Sequence, residues 1–170
     1  PHQLLNGNFS LVLIVVYGYF KGKHIPFYIQ TCTYVLAFAF QCTGPSMEPT
    51  ILSENIVVSE HISPRLFKIK CGDIIIAKSP SNHRQLICKR VTGLPGDTIK
   101  VGSKLHVVPR GHVWLEGDNR KNSSDSRSYG SIPYGLIRGR VVCRVWPPHQ
   151  ISMLTPDQST KSKTHCFSSS

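Results

Sequence analysis

Beyond Thr50 the apolar residues fall into short runs: Ile56-Val57-Val58, Ile74 to Ala77, Leu86-Ile87-Cys88, Leu105 to Val108, Val113-Trp114-Leu115 and Val141 to Trp146. Together they are rich in Ile and Val and are separated by stretches containing Gly, Pro, Asn, Asp and Ser. Runs of this length between frequent turn signals predict an all-β domain rather than alternating strands and helices. No internal repeat interrupts the series.

The first part of the chain has a different pattern. Residues 1–47 contain no Asp or Glu, and residues 25–47 contain no charged residue or histidine. The apolar stretch from Ile25 to Phe40 predicts a membrane-anchor helix over 25–41, although Gln30, Thr31 and Thr33 dilute it and crossing a bilayer takes about 20 residues. A soluble or buried helix is the competing reading. Phe9 to Phe20 is more apolar but shorter, the length of a signal-peptide core or a buried segment. The chain opens on Pro1 rather than Met, so residues 1–24 carry no argument about the true N-terminus. Lys21 and Lys23 precede the anchor, and the positive-inside bias places the body beyond Cys42 on the opposite side of the membrane. The catalytic β domain is expected over 42–148, with a polar, serine-rich, disordered tail over 149–170.

With 170 residues the chain is long enough for one domain with a core of its own. The net charge of +11 would suit nucleic acid, yet no zinc-finger spacing, aromatic-basic repeat or helix-turn-helix pattern accompanies it. An anionic lipid surface explains the charge as well. Six cysteines, at 32, 42, 71, 88, 143 and 166, form no C-x-x-C pair and no regular spacing with histidine, so neither a metal nor a cofactor is expected.

Two separated segments carry the candidate chemistry, Gly44-Pro45-Ser46-Met47-Glu48-Pro49-Thr50 and Ile87 to Asp97, followed by Gly117 to Arg127. A serine hydroxyl needs a base within hydrogen-bond reach. His61, His83, His106 and His112 lie in polar or strand-edge stretches without a G-x-S-x-G elbow, which leaves no triad context. A lysine can serve only when neutral, and at an ordinary pKa about one in a few thousand is neutral at pH 7. Lys89 follows Leu86-Ile87-Cys88, where burial could depress its pKa, although an isolated strand lysine is more often a snorkelling surface residue. Strand alternation turns Arg90 to the opposite face, toward solvent or a carboxylate. Cys88 has no activating histidine and alternates away from Lys89. Gly117-Asp118-Asn119 reads as a turn in which Gly and Asn accept positive φ. Met47 and Pro49 read as packing and turn residues shaping a substrate groove.

In combination and in this order, the three segments resemble the type I signal peptidase family. Gly72 to Ser81, Gly111 to Asn119 and Tyr134 to Arg140 point to its mitochondrial inner membrane branch. The resemblance covers roughly residues 42–147 and implies an antiparallel β core with an N-terminal anchor helix. It makes Ser46 the nucleophile and Lys89 the general base. Ser123 matches the hydroxyl that orients the lysine, while Asp125 and Arg127 match a structural ion pair near the site. The oxyanion donor it implies is the Ser46 N–H. The position where some bacterial relatives add a serine hydroxyl is Gly44, leaving a backbone group or water for the second bond.

The function implied is a membrane-bound serine endopeptidase, facing the intermembrane space, that removes sorting peptides from precursor proteins. Its implied partners are a related second subunit, the precursors and inner-membrane lipid, with no nucleic acid. Three rivals remain: a bacterial or plastid signal peptidase, a catalytically silent isoform with an altered N-terminus, and a self-cleaving DNA-binding repressor. The last would need a DNA-binding module where this chain has an apolar run.

Overall fold

The computed structural model describes residues 37–82 and 84–156, together with the backbone of residues 4–6. Eleven strands carry the fold among the described residues: β1 (Leu4–Asn6), β2 (Ala37–Thr43), β3 (Ile56–Glu60), β4 (Ile74–Lys78), β5 (Leu86–Gly93), β6 (Thr98–Val101), β7 (Lys104–Val107), β8 (His112–Glu116), β9 (Ile132–Pro133), β10 (Ile137–Trp146) and β11 (Ser152–Met153). Two one-turn helices, α1 (Ile62–Arg65) and α2 (Ser126–Tyr129), sit in the connections. The main sheet runs β1-β2-β3-β10-β4-β5-β8-β9 with β11 alongside β10, while β6 and β7 form a separate hairpin. All pairings are antiparallel, as the short runs and turn signals predict.

Both faces of the central strands are covered. In β4, Ile74 and Ile76 enter one core with Phe40, Cys42, Met47, Val57 and Cys88, whereas Ile75 and Ala77 enter a second with Ile87, Val91, Val113 and Leu115. That is why this strand reads as a continuous apolar run rather than an alternating one. Strand β10 is long enough to serve two neighbours, pairing β4 through its first half and β3 through its second, with bulges absorbing the bend.

Two boundaries differ from the sequence expectation. The anchor helix expected over 25–41 does not reach its C-terminal limit, because residues 37–41 belong to β2; residues 25–36 lie outside the described residues. Phe40 and Cys42 are buried in the first core and Phe38 packs against it. Alanines at 37 and 39 kept this two-residue period from standing out in hydropathy. Among the described residues no helix is long and apolar enough to cross a membrane. The disordered tail expected over 149–170 is instead ordered in its first residues, which fold back on β10. Arg144 donates to Gln150 O at 2.8 Å and to Ser152 Oγ at 3.3 Å, the Leu154 N–H donates to Val142 O, and Leu154 packs on the first core. Residues 157–170 lie outside the described residues.

Candidate active site

The turn after β2 delivers Ser46. Gly44 has φ of 96°, a conformation that side-chain-bearing residues rarely adopt, and its N–H donates to Ser53 Oγ at 3.2 Å. This backbone requirement accounts for the missing side-chain donor at position 44. Ser46 has no exposed surface, and its carbonyl accepts the Asn119 N–H at 3.1 Å. Met47 is wholly buried in the first core, so it anchors the serine turn from below rather than lining a groove.

Strand β5 supplies Lys89, which pairs across the sheet with Ile75 on the side of Ile87 and Val91. It is the largest fully buried side chain among the described residues, and its Nζ donates to Ser123 Oγ at 3.0 Å. Burial is the main cause that lowers its pKa from 10.5 to about 8; the Asp125 carboxylate opposes the shift and Arg127 assists it. The burial expected of this lysine is observed.

The third segment follows β8. Asp125, also without exposed surface, accepts bonds from Gly117 N–H at 3.0 Å and from Arg127 Nε and Nη2 at 2.8 and 2.7 Å. Burial pushes its carboxyl upward, but the Arg127 pair and the Gly117 N–H outweigh it and hold the group below the usual range. The Ser123 hydroxyl also favours the charged form of this carboxylate. Ser126, to which the sequence assigned nothing, is buried and its Oγ accepts the Leu115 N–H at 2.9 Å, fixing the box to β8.

The turn reading of Gly117-Asp118-Asn119 needs correction. Neither Gly117 nor Asn119 has a positive φ; Asn119 lies at −86°. Gly117 is required by crowding instead: a Cβ there would stand 2.5 Å from the Ser46 carbonyl oxygen and would also overlap the Ser123 hydroxyl. This glycine therefore lets the serine backbone and the lysine's partner close on one another. Gly117→Ala is expected to lower cleavage by about 10²-fold or more and stability by about 1–3 kcal/mol, as overpacking does; peptide cleavage and urea unfolding on the same preparation would check both.

Asp118 was also more than a turn former. Its carboxylate takes Arg90 in a two-pronged pair at 2.8 and 2.7 Å and accepts from Thr50 Oγ1 at 2.5 Å, while Arg90 Nη1 donates to Gly72 O at 2.9 Å. The network joins the strand that carries Lys89, the end of the Ser46 turn and the box that carries Ser123. The only hint in the sequence was an arginine directly after the candidate base. Of the histidines weighed as a base, His61 rests on Phe38, His106 on Trp114, and His112 Nδ1 lies 3.2 Å from Arg110 O, while His83 lies outside the described residues.

A family model for signal peptidase, peptidase S26, matches residues 24–107 and 100–146. The chain belongs to the signal peptidase family. It is accordingly an endopeptidase of the serine type. Among its relatives, the mitochondrial inner membrane protease subunit 1 of Homo sapiens is 58% identical over 112 residues, covering 62% of this chain and 68% of that protein. The mitochondrial ATP-independent inner membrane protease subunit 1b of Arabidopsis thaliana is 43% identical over 148 residues, covering 82% and 87%. The mitochondrial inner membrane protease subunit 2 of Danio rerio is 35% identical over 151 residues, covering 81% and 82%. This signal peptidase is thus more similar to the subunit 1 sequences than to subunit 2.

Proposed function

We propose that this signal peptidase cuts sorting peptides from precursors delivered to the mitochondrial intermembrane space, using Ser46 and Lys89 as a dyad. The observation that carries the reading is a fully buried lysine with a pKa near 8, hydrogen-bonded to Ser123 in a box that also holds the Ser46 carbonyl.

In this reading, neutral Lys89 Nζ takes the Ser46 hydroxyl proton while Oγ adds to the scissile carbonyl. The ammonium then returns that proton to the leaving amine as the C–N bond breaks, and an ester on Ser46 remains. Lys89 next deprotonates a water that attacks the ester, and the proton goes back to Ser46 Oγ as the acid product leaves. Ser123 has a defined part: by accepting a lysine N–H it leaves the Nζ lone pair for Ser46. Backbone N–H groups of the Ser46 turn, with Gly44 contributing no side chain, would receive the oxyanion.

Small uncharged residues before the cut are the expected preference. A related second subunit, inner-membrane attachment and a catalytic domain on the intermembrane-space side extend the names of the relatives and the family resemblance to this chain. The test is cleavage of a panel of precursor peptides by detergent-solubilised protein coexpressed with the second subunit. Ser46→Ala and Lys89→Ala should each abolish it, and survival of cleavage in both would refute the dyad. Because only about a tenth of Lys89 is neutral at pH 7, kcat/KM should climb with pH and level off above about 8. A flat profile from pH 6 to 9 would argue against lysine as the base.

A further inference from the structure

The loop after α1 presents an unusual surface. Leu66 and Phe67 are 54% and 78% exposed, and Ile62, one turn back, is also exposed. Phe67 has φ of 53°, one of two non-glycine residues with positive φ among the described residues. A bulky aromatic residue rarely adopts that conformation, and here it holds the ring outward against Tyr134, the centroids 5.0 Å apart. Arg65 at the end of α1, Lys68 and Lys70 on the loop and Arg138 on β10 are all exposed, and residues 61–72 contain no carboxylate. The nearest acids are otherwise engaged: Glu60 pairs with Arg140 and accepts the Ile62 and Ser63 N–H groups, and Asp73 is buried and accepts the Lys70 N–H. The result is an apolar wedge ringed by cations.

Its place in the fold indicates what covers it. Strand β2 begins at Ala37, which pairs with Glu60, and the Phe38 ring lies 4.6 Å from that of His61. The uncharged segment 25–36 therefore leads into the same end of the sheet that carries the wedge. We propose that the Leu66-Phe67 wedge and its ring of Arg65, Lys68, Lys70 and Arg138 dock on a bilayer bearing anionic headgroups, holding the catalytic domain against the membrane. The proposal rests on the membrane-bound reading given above and adds to it a second contact in the catalytic domain itself. The aromatic and leucine side chains enter the headgroup boundary while the cations meet lipid phosphates, a pairing an acidic protein surface would match in charge but not in apolar depth.

The test uses the full chain with Phe67→Trp in a Trp146→Phe background, which leaves Trp114 buried in the core as an internal reference. The protein is mixed with phosphatidylcholine vesicles, with or without phosphatidylglycerol, carrying brominated acyl chains. Emission from position 67 should fall about twofold or more on anionic vesicles and much less on neutral ones. Adding Lys68→Glu and Lys70→Glu should restore it, with peptide cleavage in detergent unchanged as proof of folding. Equal quenching on both vesicle types, no quenching, or shielding of position 67 by the second subunit instead of lipid would overturn the proposal. Loss of cleavage with quenching intact would count against the protease reading alone.

Discussion

Lys89→Met should leave a protein that no longer cleaves yet unfolds less readily than the parent. Lys89 is wholly buried, and its displacement from 10.5 to about 8 corresponds to about 3 kcal/mol of cost for the charged form. The sign follows from proton counting. Between pH 8 and 10.5 the unfolded chain holds a proton on this lysine that the folded chain has released, so parent stability rises with pH through that window. Below pH 8 the folded state bears the full cost. Methionine fills nearly the same volume without a charge, so at pH 7 the variant should gain about 2–3 kcal/mol, and the gain should vanish as pH approaches 10.5. Cleavage should fall by about 10³-fold or more, since no other neutral base faces the serine in this reading. Lys89→Ala is the informative contrast: it also loses cleavage, but the cavity it opens offsets the relief of the charge. Urea unfolding of the three proteins at pH 7 and 10 decides the matter. A methionine variant less stable than the parent at pH 7 would mean that the lysine is solvated or paired more strongly than its surroundings indicate.

Legibility in the sequence followed the range of each interaction. Strands β3, β4, β5, β8 and β10 each contain an apolar run visible in the chain, because β-branched residues between turn formers are a local signal. β2 was not legible: Phe38, Phe40 and Cys42 alternate with Ala37, Ala39 and Gln41, and three small or neutral partners make a half-buried strand look like the end of an apolar helix. β9 and β11, two residues each, exist only because β8 and β10 offer them an edge. The same distinction holds at the site. Ser46, Lys89, Ser123, Asp125 and Arg127 were placed by the resemblance of their segments, and the fold brings Lys89 to Ser123 and Asp125 to Arg127. Thr50, Arg90 and Asp118 were not recognised as one unit, since 40 residues separate Thr50 from Arg90 and 28 separate Arg90 from Asp118. Ser126 stayed silent because a buried hydroxyl serving one backbone N–H has no pattern along the chain.

The Arg90-Asp118 pair offers a second large effect. Asp118→Asn keeps the shape of the side chain but removes the charge that balances a nearly buried guanidinium, whose side chain is 7% exposed. Breaking one partner of such a pair typically costs about 3–5 kcal/mol, because the remaining charge is left in low dielectric. The loss should be visible as a lower urea midpoint with an unchanged m-value. Replacing both partners, as Arg90→Met with Asp118→Leu, removes the orphaned charge and should recover most of that stability. Activity should not return with it. Thr50 Oγ1 has Asp118 Oδ2 as its partner, and Thr50 closes the turn that begins at Ser46, so the double variant restores the core while leaving the serine turn untied from the box. Stability recovered without cleavage would identify the network as a positioning device; cleavage recovered together with stability would mean that Arg90 and Asp118 serve the fold alone, and that the serine turn is held by Met47 and the Asn119 bond without them.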